Sequence, residues 1–336
     1  MTRREKLLLG VDLGRATAIE IGALDRPIIP PTSPGAFFVD HMDTPSLREK
    51  YRAIADINAD NLVQVNGIWG EKSLAEAAAP VAPVDCLVAS HVIEHVPDLV
   101  TWLHEVAAVL KPAGDLRLAI PDRRYTFDLL RAETVLADVL AAHLVKARVP
   151  QIRQVIDHVA NAVTVDCGQL WDGTFDRTAL TRIHDPSHIE LLGHDVLDNG
   201  TYHDVHCWVF TPISFTQLML RLAELGYHAF ECVKLFDTEF HHNEFIVIAR
   251  LAADKAAAIA SWRAMNEELE RAAAAARASD LVAPVVTRDD EVERLRAQVA
   301  GLERTVDEIK RSTSWRLTAP MRVVKELLRP PGPTGN

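Results

Sequence analysis

Residues Val84–Asp98 read VDCLVASHVIEHVPD, and the stretch changes character halfway. Its first part, VDCLVAS, is an apolar, partly β-branched run of the length of a buried strand. Ser90, His91, Glu94 and His95 then follow within one short segment. Two imidazoles and a carboxylate at the mouth of a strand point to chemistry if that strand belongs to a parallel sheet. In open parallel sheets, ligands bind beyond the carboxyl ends of the strands, at the topological switch point.

The surrounding sequence supplies such a sheet. TAIEIG (17–22) predicts a strand ending at a glycine, and AFFVD (36–40) a second ending in an acid, followed by a helical stretch around SLREKYRAI. NLVQVNG (61–67) predicts a third strand. VTWLHEVAAVLK (100–111) has apolar residues at helical spacing and is expected to stop at Pro112-Ala-Gly114, before a strand at DLRLAIPD (115–122). Strands alternating with helices define βαβ units and a mostly parallel sheet. Residues 123–165 read as helical, and the histidine- and turn-rich segment after them reads as a cover, so that about 123–210 forms an insertion. FTPISFTQLMLRLAELGY (210–227) predicts an amphipathic helix stopped by Gly226. Runs at 230–237 and 244–251 predict a closing antiparallel pair.

Composition narrows the function classes. An apolar fraction of 48% supports a well-buried core, and a formal net charge of −11 argues against nucleic acid as a partner. The four cysteines, Cys86, Cys167, Cys207 and Cys232, form no Cys-x-x-Cys pair and fit free thiols in a reducing compartment. The apolar run Leu7–Val11 is too short for a signal peptide, and no run approaches a membrane span, so a cytoplasmic protein is expected.

The strand ends line up Glu20 and Gly22, Asp40, Ser90 and His91, and Pro121 and Asp122 along one rim. EIGALDRP lacks the full Gly-x-Gly-x-x-Gly, with Ala23 where a second glycine is expected. The ligand therefore has no pyrophosphate to cradle. An acid after the second strand is placed to accept from ribose hydroxyls.

AIEIGALDRP, FFVDHMD, VDCLVASHVIEHVPD and LKPAGDLRLAIPDRRYTFD, in this order and spacing, resemble a class I S-adenosylmethionine-dependent methyltransferase. The likeness is to the type-11-like kind associated with bacterial glycan and polysaccharide synthesis, and it covers roughly residues 5–250. It implies an α/β, Rossmann-like, seven-stranded sheet with helices on both faces and S-adenosyl-L-methionine as cofactor. By that resemblance Glu20, Gly22 and Ala23 line the methionine part, Asp40 with His41 takes the ribose, and Ser90 and His91 lie below the sulfonium and adenosine. The acid that many such enzymes carry after strand three is here Asn66.

A hydroxyl acceptor needs a base, and imidazole titrates near neutral pH, so His91 is the first candidate for a base or acceptor-orienting group. The plainer alternative is that His91 only contacts cofactor. Asp122 is the second candidate, with Arg123 and Tyr125 as acceptor contacts; its alternative is a helix N-cap. His184, His188, His203 and His206 are read as lining the acceptor pocket, with Trp171, Tyr202 and Trp208 able to stack on a sugar or serve as core. No zinc spacing is met and Pro186 opposes a helix aligning His184 with His188, so no metal is expected.

Composition shifts after residue 251, the expected end of the methyltransferase domain. An Ala-rich helix is expected at 252–284. A heptad seam over Val292, Leu295, Val299, Leu302, Val306 and Ile309 predicts a short coiled coil at 288–312. In the tail at 313–336, STSWRLTAPMR resembles tails of bacterial glycosyltransferases. Basic residues interleaved with apolar ones there suit an anionic membrane surface or a protein partner. Residues 288–329 are thus the candidate segment for self-association, a glycosyltransferase partner or peripheral membrane contact. The sequence reading is a methyltransferase acting on a saccharide hydroxyl. A small-metabolite or lipid acceptor, or a non-catalytic scaffold for glycosyltransferases, are its rivals.

Overall fold

The computed structural model describes residues 1–282 apart from 55 and 179; the heptad seam and the basic tail lie outside the described residues. Seven strands, β1 (Ala18–Ile21), β2 (Ala36–Asp40), β3 (Gly67–Ile68), β4 (Val84–Ser90), β5 (Leu110–Pro121), β6 (Phe230–Phe236) and β7 (Glu244–Leu251), form one sheet. Their order is β3-β2-β1-β4-β5-β7-β6. The first five are mutually parallel, while β7 runs antiparallel to both β5 and β6. This is the seven-stranded α/β sheet that the sequence implies, and its order reverses direction between β1 and β4.

Both faces are covered, unequally. On one, Ile19, Ile21, Leu87, Leu116, Leu118 and Val247 pack against helices that include Leu99–Val109 and Pro212–Leu225. On the other, Ala18, Cys86, Val88, Ala119 and Ile246 meet Leu7 of the short helix Arg3–Leu7, Leu8, Val11 and Leu13 after it, and Ile28 and Ile29 of a loop. That short helix is fastened from inside the sheet. Arg117 is buried and donates to the carbonyls of Leu7 at 2.8 Å and Leu9 at 2.9 Å, a cation at a helix carboxyl end.

Three elements differ from expectation. The run 61–67 pairs only at Gly67–Ile68, because Asn66 takes over the pairing with β2 itself: its N–H donates to the Phe38 carbonyl at 2.8 Å and its side-chain oxygen accepts from the Phe38 N–H at 2.8 Å. The helix expected to reach Lys111 ends at Val109; Leu110 is already extended and pairs with Val84, and Pro112-Ala-Gly114 lies within β5 beside a register shift. Contacts divide the chain into Met1–Ala273 and Ala274–Asn336. The first turns of the helix Lys255–Val282 therefore belong with the sheet: Trp262 is buried and donates to the Phe230 carbonyl at 2.8 Å. Of the second unit, only the end of that helix is described.

The four cysteines are free thiols. Among the described residues no helix is long and apolar enough to cross a membrane.

His228, just before β6, is buried as a neutral ring: Nε2 donates to the Met219 carbonyl at 2.8 Å and Nδ1 accepts from the Phe230 N–H at 3.1 Å. Burial lowers its pKa to about 4 from 6.5. The unfolded chain thus binds this proton more readily. The stability the neutral ring contributes is complete above pH 6.5 and is lost as pH falls towards about 4. Replacing it in H228Q should flatten the acid arm of the stability curve, by on the order of 3 kcal/mol between pH 7 and pH 4. Urea unfolding at a series of pH values checks this; parallel curves for the two proteins would contradict it.

Candidate functional site

The carboxyl ends of β1, β2, β4 and β5 meet where the register places Ile21 beside both Val39 and Ala89, and Ser90 beside Ala119. The antiparallel β7 begins there as well, with Glu244 opposite Pro121. No helix follows β1; residues 22–35 form an irregular loop instead. Gly22 opens it at φ +67, and a Cβ there would lie 3.2 Å from the Val92 side chain. Only glycine fits that turn without strain.

Glu20 differs from its expected role as a cofactor ligand. It is buried, and its two carboxylate oxygens accept from the N–H groups of Ile28 at 2.8 Å and Ile29 at 2.7 Å. Burial raises its pKa to about 7, against the pull of those two donors. Ala23 is also tucked away, against Phe38 and Val63. Both residues shape the loop from below rather than line the rim.

Asp40 and His41 stand at the rim as expected. Asp40 Oδ1 accepts from the His41 N–H at 2.7 Å and faces His41 Nδ1 at 2.6 Å. His41 Nε2 lies 3.0 Å from Lys50 Nζ. Among the described residues no hydrogen bond reaches Asp40 Oδ2. Tyr51 belongs to the same end: burial, with Asp204 and Asp40 nearby, pushes its hydroxyl up to about 12. The segment carrying Tyr202 and Asp204 reaches the end of β4, where Asp204 lies 2.9 Å from His95.

Ser90 and His91 close the other side. Arg3 donates to Ser90 Oγ and forms an ion pair with Glu244, at 2.5 Å to one oxygen and 3.0 Å to the other. His91 adopts a left-handed backbone at φ +53, uncommon for a residue with a Cβ. Its Nε2 lies 2.8 Å from Glu244 and its Nδ1 3.4 Å from Glu94 Oε1. Both ring nitrogens thus face carboxylates. Burial would lower its pKa, but Glu244 and Glu94 outweigh that and raise it to about 9. The reading of His91 as a base is corrected accordingly: Nε2 is taken by Glu244, Nδ1 is turned to buried Glu94, and the raised pKa keeps the ring protonated near neutral pH.

Asp122 is corrected too. It is fully buried, receives three hydrogen bonds from the Arg124 guanidinium and one from the Thr238 hydroxyl, and caps the short 3-10 helix Arg123–Tyr125 through the Arg124 N–H. The N-cap alternative is the one observed. Arg123 donates to the Leu129 carbonyl, and Tyr125 stacks on Trp171 with ring centroids 3.9 Å apart. That stack uses the Trp171 face offered for a sugar, and Trp208 is core.

The histidines do not gather into one pocket. His188 is exposed, at the start of the helix His188–Asn199, and His184 rests against the His158 ring outside it. His203 pairs with Asp195 at 2.9 Å. His206 is buried, held through Nδ1 by Asp128 at 2.6 Å. It reaches the rim by another route: Cys207 and Trp208 donate their N–H groups to the Glu94 carbonyl, and Trp208 Nε1 donates to the Val96 carbonyl at 2.6 Å.

Sequence reasoning missed Arg3 and Glu244. A signal existed for Glu244: it heads the apolar run EFIVIARL, and a strand antiparallel to the others starts where they end. Nothing in the sequence ties Arg3 to it.

No family model matches the chain, and no curated protein matches it. Distant likenesses exist among solved structures. One, from Rhodobacter sphaeroides and described as a Zn-dependent alcohol dehydrogenase, is 15% identical, with 74% of this chain and 89% of that one covered at a TM-score of 0.39. The CcbJ methyltransferase from Streptomyces caelestis is 12% identical, with 74% and 94% covered at 0.37. The magnesium protoporphyrin IX methyltransferase from Synechocystis PCC 6803, with bound SAH, is 11% identical, with 72% and 76% covered at 0.30. At such scores the likeness says nothing of the chemistry, which has to come from the rim itself.

Removal of the Glu20 carboxylate in E20A should leave two buried N–H groups without acceptors, at about 1–3 kcal/mol each. Amide exchange at Ile28 and Ile29 should then accelerate while β4 and β5 stay protected. Unchanged exchange at those two amides would show that the loop is held by something else.

Proposed function

We propose that the chain is a S-adenosylmethionine-dependent methyltransferase that methylates a saccharide hydroxyl in glycan or surface-polysaccharide synthesis. The observation that carries the reading is the rim at the β1–β4 switch point. A glycine turn with no following helix stands beside an acid with one open oxygen at the end of β2. A pyrophosphate ligand would call for a helix N-terminus behind that glycine, and there is none. A sulfonium nucleoside needs a close backbone, a ribose acceptor and negative charge, and Gly22, Asp40 and the nearby carboxylates suit it.

S-adenosylmethionine, when bound, would supply an electrophilic methyl group. The chain's residues hold and orient. Gly22 lets the backbone come close. Asp40 Oδ2 accepts from ribose hydroxyls, steadied by His41 and Lys50 through the other oxygen. The Arg3–Glu244–His91 chain ties the end of β4, with its left-handed turn, to the start of β7. Rate then comes chiefly from holding acceptor and methyl in line. The saccharide acceptor rests on the resemblance of the ordered motifs and of the tail.

Calorimetry with S-adenosylhomocysteine tests the reading. The folded chain should bind it, and D40A should bind about 10–100-fold more weakly, the worth of hydrogen bonds to a charged group. Absence of binding by the folded wild-type chain would sink the proposal. Labelled methyl transfer to glycans, rather than to lipids or small metabolites, would establish the acceptor.

A further inference from the structure

One buried group has no part in that reading. Glu94 is 1% exposed, and neither carboxylate oxygen meets a hydrogen-bond donor in good geometry. Three imidazoles face it at 3.4–4.0 Å, yet none hydrogen-bonds it, and a buried carboxylate left so calls for an explanation such as an ion.

We infer that Glu94, His95 and His206 form a binding site for a divalent transition-metal cation. One donor atom from each lies within 4.8 Å of the others. Nε2 of His95 and Nε2 of His206 both sit 4.0 Å from Glu94 Oε1, and the two rings meet edge to face with centroids 4.8 Å apart. A carboxylate stands behind each ring: Asp128 is hydrogen-bonded to His206 Nδ1 at 2.6 Å, and Asp204 lies 2.9 Å from His95 Nδ1 as a charge neighbour, outside hydrogen-bond geometry. His206 is thus held as metal-bound imidazoles are, with the far nitrogen on a carboxylate and the near one free for the cation. Bonds of about 2.0–2.2 Å at tetrahedral angles place donors about 3.4 Å apart, so the three donors would have to close by up to about 1.4 Å.

The donor types also select the ion. Two imidazoles and one carboxylate suit zinc and its first-row neighbours, and leave a further coordination position open. His91, with Nδ1 at 3.4 Å from Glu94 Oε1, flanks the cluster on the rim side. The cation would bind the end of β4 to the covering segment around His206, and so fix the wall between them. The inference rests on this donor set alone and holds whatever the rim binds.

The full chain, stripped with chelator and returned to metal-free buffer, would be titrated with zinc chloride by calorimetry and with cobalt chloride by visible absorption. One equivalent per chain is expected, with a cobalt spectrum of nitrogen and oxygen ligands and a rise in melting temperature. H95A should abolish that equivalent. D204N changes an exposed second partner and should leave the fold intact, but weaken binding about 10–100-fold. Failure of the folded wild-type chain to bind either ion overturns the proposal. So does binding unchanged in D204N and H95A, or a thiolate charge-transfer band, which would place the ion on cysteine.

Discussion

A strand in the middle of a sheet that is not followed by a helix leaves its loop with backbone donors to satisfy, and here Glu20 satisfies them. The N–H groups of Ile28 and Ile29 pass beneath the sheet, where water cannot reach, and a single carboxylate from β1 accepts both. With that loop fixed, Ile29 is fully buried against Leu7, Cys86 and Val88, and the thin face of the sheet closes. Gly22 is held at φ +67, where a side chain would be strained and would press on Val92 at 3.2 Å. The carboxyl ends of β1, β2 and β4 then lie side by side, with Gly22, Asp40 and Ser90 along one edge.

The opposite wall depends on charges paired across long stretches of sequence. Arg3 reaches Glu244, Glu244 reaches His91, and His91 faces Glu94. On the far side, buried Arg131 joins Asp128 and Asp157 and donates to the His206 carbonyl. Imidazoles therefore stand between carboxylates at three points around Glu94. Breaking one buried member of such a network leaves the others uncompensated, so the wall behaves as a unit. The short contacts from Cys207 and Trp208 to the backbone at Glu94 and Val96 bring the covering segment into that unit.

Much of the sheet was legible in the sequence because local pattern decides it. VDCLVAS, AFFVD and EFIVIARL are apolar runs of strand length, and Gly226 stops its helix in the left-handed conformation that glycine favours. The site was legible only in part. Asp40 and Gly22 could be placed because strand ends in a parallel sheet share an edge. Glu20 and Asp122 also sit at strand ends, but alternation along a strand does not say which backbone or guanidinium waits beneath. NLVQVNG reads as a strand, yet one amide side chain, Asn66, substitutes for most of its pairing. The meeting of His206 with Glu94 and His95 was beyond the sequence, since it depends on how a segment 112 residues away folds back on Val96.

The central claim is that the edge formed by β1, β2 and β4 holds a sulfonium nucleoside with its ribose on Asp40. The most direct measurement is a crystal structure of the chain soaked with S-adenosylhomocysteine. The account predicts the ribose hydroxyls on Asp40 Oδ2 and the amino-acid end beside Gly22. A nucleoside seated elsewhere, or an Asp40 carboxylate turned wholly to His41 with no ribose against it, would contradict it.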